Sequence, residues 1–264
     1  GQGEAAAAIR ALLAGGALCE PGAARRLQDP LSLRCIAPVH GALRAAIAFA
    51  EPALAAELNG DSSNPVVLPE EGALGGGTIL STANFHTPLV AIAFDALSQA
   101  CAQVAHLALA RASKLLSAPL SDLPATLSPR GTTRSGFAPA LKPVEALVAE
   151  IEHLALPVRG GTSVSADGVE DHMTHAPLAV HKLAQIVQRL RLVLAVELMI
   201  AAQAVDLRGP VRLGFATAAI HAAVRRVVPP LDDDRPLSAD IMHLEATLLA
   251  DGALLRTIDA ALGA

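Results

Sequence analysis

The 264-residue sequence has no Trp, no Tyr and only five Phe, so aromatic residues make up 2% of it. Single-stranded nucleic acid is bound on stacking platforms of aromatic rings within a basic groove, and five Phe in a chain of net charge -5 supply neither. Cysteine is also scarce. Cys19, Cys35 and Cys101 form no CxxC pair and leave one thiol over, so the expectation is a reducing compartment, the cytoplasm. No basic segment followed by an apolar run opens the chain, so no secretory signal is read. The run read as the best candidate for a membrane span, Leu190 to Val205, is interrupted by Arg191 and Glu197, well short of the ~20 apolar residues that a span needs. What is abundant is hydrophobic residues, 52% of the chain against 17% charged, the balance of a folded protein with a large core.

Alanine and leucine at helical spacing dominate. Helices are predicted from Glu4 to Leu13, stopped by Gly15-Gly16, and from about Pro38 to Leu58, with a kink or break at Pro52. Residues 59 to 85 carry GDSSNP, a Gly75-Gly76-Gly77 triplet and short β-branched pieces, which read as an irregular connection containing a small hairpin. A long helix is expected from His86 to Leu116, then proline-broken turns, a helix from about Val144 to Leu156, and a loop from Pro157 to Gly168. A second long helix is expected from Glu170 to Leu207, and shorter ones from Gly214, Ser238 and Ala253, the second with Ser238 as a simple cap. Rods of ~45–55 Å need partners of equal length, so the fold class is all-α, a bundle of long helices in one domain.

Three groups of residues can carry chemistry. In Gln28-Asp29-Pro30-Leu31-Ser32-Leu33-Arg34-Cys35, a neutral amide and a guanidinium able to grip a carboxylate share one short turn, although Arg34 can equally pair with Asp29 or a helix end. Ser81-Thr82-Ala83-Asn84-Phe85-His86 stands at a helix start, where free N–H groups collect; Asn84 read alone is a cap and Phe85 core. In Asp167 to His175, carboxylates precede a helix and Glu170 stands near His172, an arrangement suited to proton transfer. His172 and His175 lack a third ligand at recognisable spacing, so no metal is expected.

The ordered set QDPLSLRC, VHGA, SSNP, ANFH, SGF, VEDH and ELMIAAQAVDLRG resembles the aromatic amino acid ammonia-lyase family, histidine ammonia-lyases in particular, over nearly the whole chain. The resemblance implies an all-α fold like that of fumarase and aspartase, a homotetramer, and elimination of ammonia from an amino acid to give an α,β-unsaturated acid. It implies Arg34 as the grip on the substrate carboxylate, with Gln28 bonding in the same region. Leu31, Asn84 and Phe85 would line the substrate, and Glu170 would act near its side chain or amine. Gln28 and Glu170 are the candidates for catalytic work.

The family's electrophile, methylidene-imidazolone (MIO), forms from an internal Ala-Ser-Gly, and its base is a tyrosine. This chain has neither. Its opening, GQGEAAAAIRALLAGG without a Met, reads as cut from a longer polypeptide, so residues 1-264 are expected to be the C-terminal half, with the N-terminal half as partner. Leu31 stands where most members carry Tyr, Ala83 where they carry Gly, and Gly168-Val169 where Asn-Gln is common, changes that bear on which amino acid fits. An aminomutase of the same family, or a non-catalytic helical assembly module, are the alternatives. A fumarase-like enzyme is disfavoured because no GSSxMPxKxN-type segment occurs.

Overall fold

A computed structural model describes residues 1–69 and 77–263. Ten helices and two small antiparallel hairpins follow one another among the described residues. The helices are α1 (Gln2–Leu13), α2 (Leu31–Arg34), α3 (Ile36–Asn59), α4 (Pro88–Leu116), α5 (Ala118–Ser121), α6 (Ala138–Leu154), α7 (Ala176–Arg208), α8 (Phe215–Val227), α9 (Ser238–Leu244) and α10 (Ala253–Leu262). Strands β1 (Val66–Leu68) and β2 (Thr78–Leu80) form the first hairpin, with Val67 opposite Ile79; β3 (Gly161–Ser165) and β4 (Glu170–Met173) form the second, with Thr162 opposite His172. Gly75 and Gly76 of the glycine triplet lie outside the described residues.

The long helices set the frame. At ~1.5 Å per residue, α4 and α7, of 29 and 33 residues, are rods of about 44 and 50 Å. They run parallel: Val90 and Ala91 pack on Ala176 and Ala179 near one end, and Arg111 meets Glu197 toward the other. Small residues on the α4 face, among them Ala93, Ala105 and Ala108, are fully buried and let the rods approach closely. Helix α6 runs antiparallel to α7, with Glu150 beside Arg189, and α3 runs antiparallel to α4, with Ala50 and Ala53 on Ala93. Alpha-helix α4 is also the one described helix apolar and long enough to cross a membrane, and half of its most apolar window is buried inside the protein, as befits a core helix.

Where α1 crosses α3 no side chain intervenes. A Cβ on Gly41, the glycine of VHGA, would lie 2.6 Å from the Gln2 backbone. Deeper in the core, Gln203 replaces a missing piece of secondary structure: its amide donates to the Leu127 and Leu231 carbonyls, and its oxygen accepts the Leu231 N–H at 3.0 Å.

Several expectations need correction. Pro52 does not break α3, because burial of Ala50 and Ala53 on either side holds the helix together through the lost hydrogen bond. Helix α6 begins at Ala138 rather than near Val144, since Pro139 sits in its first turn, where no N–H is needed. Ser238 is the first residue of α9 and makes no capping bond. Residues 157 to 168 are not all loop, and the second long helix starts at Ala176 rather than Glu170. In between lies the β3–β4 hairpin, so Glu170 is on a strand and not at a helix N-terminus.

Candidate functional site

The turn bearing Gln28, Leu31 and Arg34 is anchored beside the C-terminal part of α4. Asp29, Pro30 and Leu33 wall a cavity of about 260 Å3 together with Arg111, Lys114 and Glu197. Arg34 is exposed, its Nε donating to the Asp29 carbonyl at 2.8 Å, and Gln28 is exposed as well. This bond orients the guanidinium stem, and neither terminal nitrogen has a hydrogen-bond partner among the described residues.

Beneath the turn, Arg111 Nε and Nη2 donate to the two Glu197 oxygens at 2.5 and 3.0 Å. Both side chains are mostly buried, at 13% and 16% exposure. Burial pushes the Glu197 carboxyl above its ordinary range even though Arg111 pulls it down. Burial, and then the charges of Arg111 and Arg44, lower the His40 imidazole. This buried pair was not singled out from the sequence; a Glu interrupting an otherwise apolar helix, opposite an Arg in a second one, was the available signal.

Asn84, Phe85 and His86 lie at the other end of α4. Thr82 holds this segment to SSNP, its N–H bonding Asn64 Oδ1 at 3.0 Å and its hydroxyl the Ser63 carbonyl at 2.7 Å. Thr87, not Asn84, precedes the helix, and Phe85 is 53% exposed, so neither is a cap nor core. His86 reaches across to the second hairpin, where its Nε2 lies 2.8 Å from Nδ1 of His172. Glu170 is exposed two residues earlier on the same strand. Asp95, buried in α4, pins the approach to that hairpin by accepting the Val158 N–H at 2.7 Å.

The candidates therefore form two groups. Phe85, Asn84 and Glu170 come together through the His86–His172 contact, while Gln28, Leu31 and Arg34 stand near Arg111. From Pro88 to Arg111 along α4 is about 35 Å at ~1.5 Å per residue. A ligand of amino-acid size contacts groups within about 3–3.5 Å of its atoms, so it cannot touch both Arg34 and Glu170 of one copy.

Among the described residues no group of three or more His, Cys, Asp or Glu is arranged to hold a metal. The chain has no Ala-Ser-Gly to cyclise, so its own residues do not provide the electrophile that the resemblance implies. A cavity of about 670 Å3 between α6, α7 and α9 contains none of the candidate residues.

The bundle of long helices, with the arginine turn at one end and Phe85 and Glu170 toward the other, has the helical fold of the histidine and aromatic ammonia-lyases. The family model described as aromatic amino acid lyase matches residues 1–226, and the chain belongs to that family. It is 40% identical to the histidine ammonia-lyase of Sorangium cellulosum (strain So ce56) over 265 residues, which cover 100% of this chain and 51% of that protein. Among solved structures it is similar to the ergothioneine-degrading enzyme ergothionase of Treponema denticola (TM-score 0.89, 30% identity, 96% of this chain and 50% of that one). It is similar also to tyrosine aminomutase of Streptomyces globisporus (TM-score 0.83, 31% identity, 98% and 52%). The chain spans about half the length of the curated relatives it matches.

Proposed function

We propose that the chain, residues 1-264, is the C-terminal helical domain of an ammonia-lyase that removes ammonia from an amino acid to give the α,β-unsaturated acid. The N-terminal half of the enzyme would be its partner, in the same or a second polypeptide. The observation that carries this reading is that Arg34, Phe85 and Glu170, at matching motif positions, are all exposed and none has a complete pocket around it. Arg34 would hold the substrate carboxylate through its free terminal nitrogens, with Gln28 beside it and Leu31 as an apolar wall. Phe85 and Asn84 would line the site on another face, and Glu170 would take or hold a proton near the amine or side chain. An MIO group from the N-terminal half would supply the electron sink for the departing amine.

The reading extends to assembly. With about 35 Å between the two groups, copies packed antiparallel along α4 would bring the Arg34 end of one to the Phe85 end of the next, sites shared between copies of the kind that the homotetramer implied by the resemblance would contain. The three free thiols fit a cytoplasmic enzyme. Glu170 favours a polar or imidazole substrate. The test is to follow absorbance in the unsaturated-acid bands when the assembled enzyme, both halves present, is mixed with histidine, phenylalanine, tyrosine and ergothioneine. Product from one names the substrate class; none from any refutes the lyase reading. The similarity to an aminomutase favours a second reading, 2,3-amine migration, for which a β-amino acid is the diagnostic product.

A further inference from the structure

We propose that His86 and His172 are a positioning pair whose single N–H···N hydrogen bond sets the Phe85 turn against the Glu170 strand. This rests on the functional reading above. The two rings lie 86 positions apart in the chain, with Nε2 of one 2.8 Å from Nδ1 of the other and ring centroids 4.9 Å apart. An imidazole nitrogen accepts only when it bears no proton, so one ring donates and the other accepts. The bond thus specifies one tautomer for the accepting ring and fixes the orientation of both.

What the bond holds is what the site needs. Phe85 directly precedes His86, and side chains alternate along a strand, so Glu170 and His172 face the same side of β4. The His172 ring is backed by Gly160, where a Cβ would sit 3.2 Å from its Nε2. At Gly161 a Cβ would come 2.6 Å from the His175 ring. The two adjacent glycines let backbone lie against both rings, so His172 is confined between Gly160 and His86. The hairpin is otherwise largely exposed, and Asp95 secures only its approach at Val158. Behind the two segments Val90 and Ala91 pack on Ala176 and Ala179, but among the described residues the His86–His172 bond is the only hydrogen bond between the Phe85 turn and the Glu170 strand.

The experiment uses the assembled enzyme with both halves and separates clamp from chemistry. His86→Ala and His172→Ala should each lower kcat by about 10- to 100-fold, the cost of misplacement on the order of 1 Å, with KM changed less than about twofold because Arg34 is untouched. The double variant should be no worse than either single one. Gln at 86 mimics an Nε2 and Asn at 172 mimics an Nδ1, so His86→Gln and His172→Asn should recover most of the rate. Hydrogen exchange at residues 161 to 173 should quicken in His86→Ala, although His86 is not in that segment. Multiplying effects in the double variant, or unchanged exchange, overturn the pair; faster exchange with unchanged kcat overturns its positioning role. If the unaltered enzyme releases no ammonia from any substrate, the functional reading fails instead, and the exchange measurement still decides whether the clamp exists.

Discussion

The Arg111–Glu197 pair gives a sharp energetic test of how the α4–α7 interface is held. The two charges sit between parallel core helices, joined by two hydrogen bonds and mostly out of water. Desolvation at such a site can exceed the attraction between the partners, which agrees with the raised Glu197 carboxyl. Glu197→Ala leaves a buried guanidinium uncompensated and is expected to cost about 3–5 kcal/mol, whereas replacing both groups by apolar residues of similar volume, Arg111→Met with Glu197→Leu, should be neutral or stabilising. With a urea dependence of about 3 kcal/mol per M, the single variant moves the unfolding midpoint down by roughly 1–1.7 M. With no Trp or Tyr in the chain, far-UV circular dichroism is the signal to follow. The pH response has a definite sign. The folded pKa of Glu197 is raised, so its contribution is fully present below the ordinary 4.5 and lost as pH rises through the folded value. The double replacement should remove that part of the slope. A double variant as unstable as Glu197→Ala would refute the reasoning, because the pair would then be a net source of stability.

Arg34→Ala in the assembled enzyme should raise KM for the amino acid by about tenfold or more, reflecting a lost charged hydrogen-bonding partner for the carboxylate; unchanged steady-state kinetics would remove Arg34 from the site. Gln203→Leu should destabilise by about 2–4 kcal/mol, read by denaturant unfolding, since both the N–H and the C=O of Leu231 lose their recorded partner in the core. Gly41→Ala should cost about 1–3 kcal/mol, because the methyl meets the Gln2 backbone and forces α1 off α3; thermal unfolding that matches the parent would refute that contact. Asp95→Ala frees the Val158 N–H and should speed exchange at that amide with little change elsewhere.

How much of this was legible in the sequence depends on the range over which each feature is determined. Helices α4 and α8 and the C-terminal part of α7 bury apolar residues at helical spacing and are followed closely by glycine or proline, so period and punctuation located them to within a few residues. The β3–β4 hairpin carries no such stripe. Thr162, Ser163 and Ser165 alternate with nothing buried, and the strands are held by Asp95 and His86 from α4 and the segment before it, contacts 63 and 86 positions away that leave no local pattern. Glu170 was therefore found as a residue but misplaced as a helix start. Pro139 and Pro143 misled in the opposite direction: Pro139 sits in the first turn, where no N–H is needed, and Pro143 is inside the helix, which continues through the lost hydrogen bond with Ala140, Val144 and Val148 buried around it.

The site was legible as a set of residue types and illegible as a set of distances. QDPLSLRC and ANFH are separated by 47 intervening residues, about half of them α3, and only the antiparallel packing of α3 on α4 shows that this intervening helix carries them to opposite ends of the bundle rather than folding them together. Motif order records ancestry along the chain, whereas chemistry requires proximity across it. Within one copy of these residues the two do not coincide. Arg34 and Phe85 are exposed in a chain whose Ile151, Ile186 and Ile200 are fully buried, so the candidate residues stand on surface that the bundle itself does not cover.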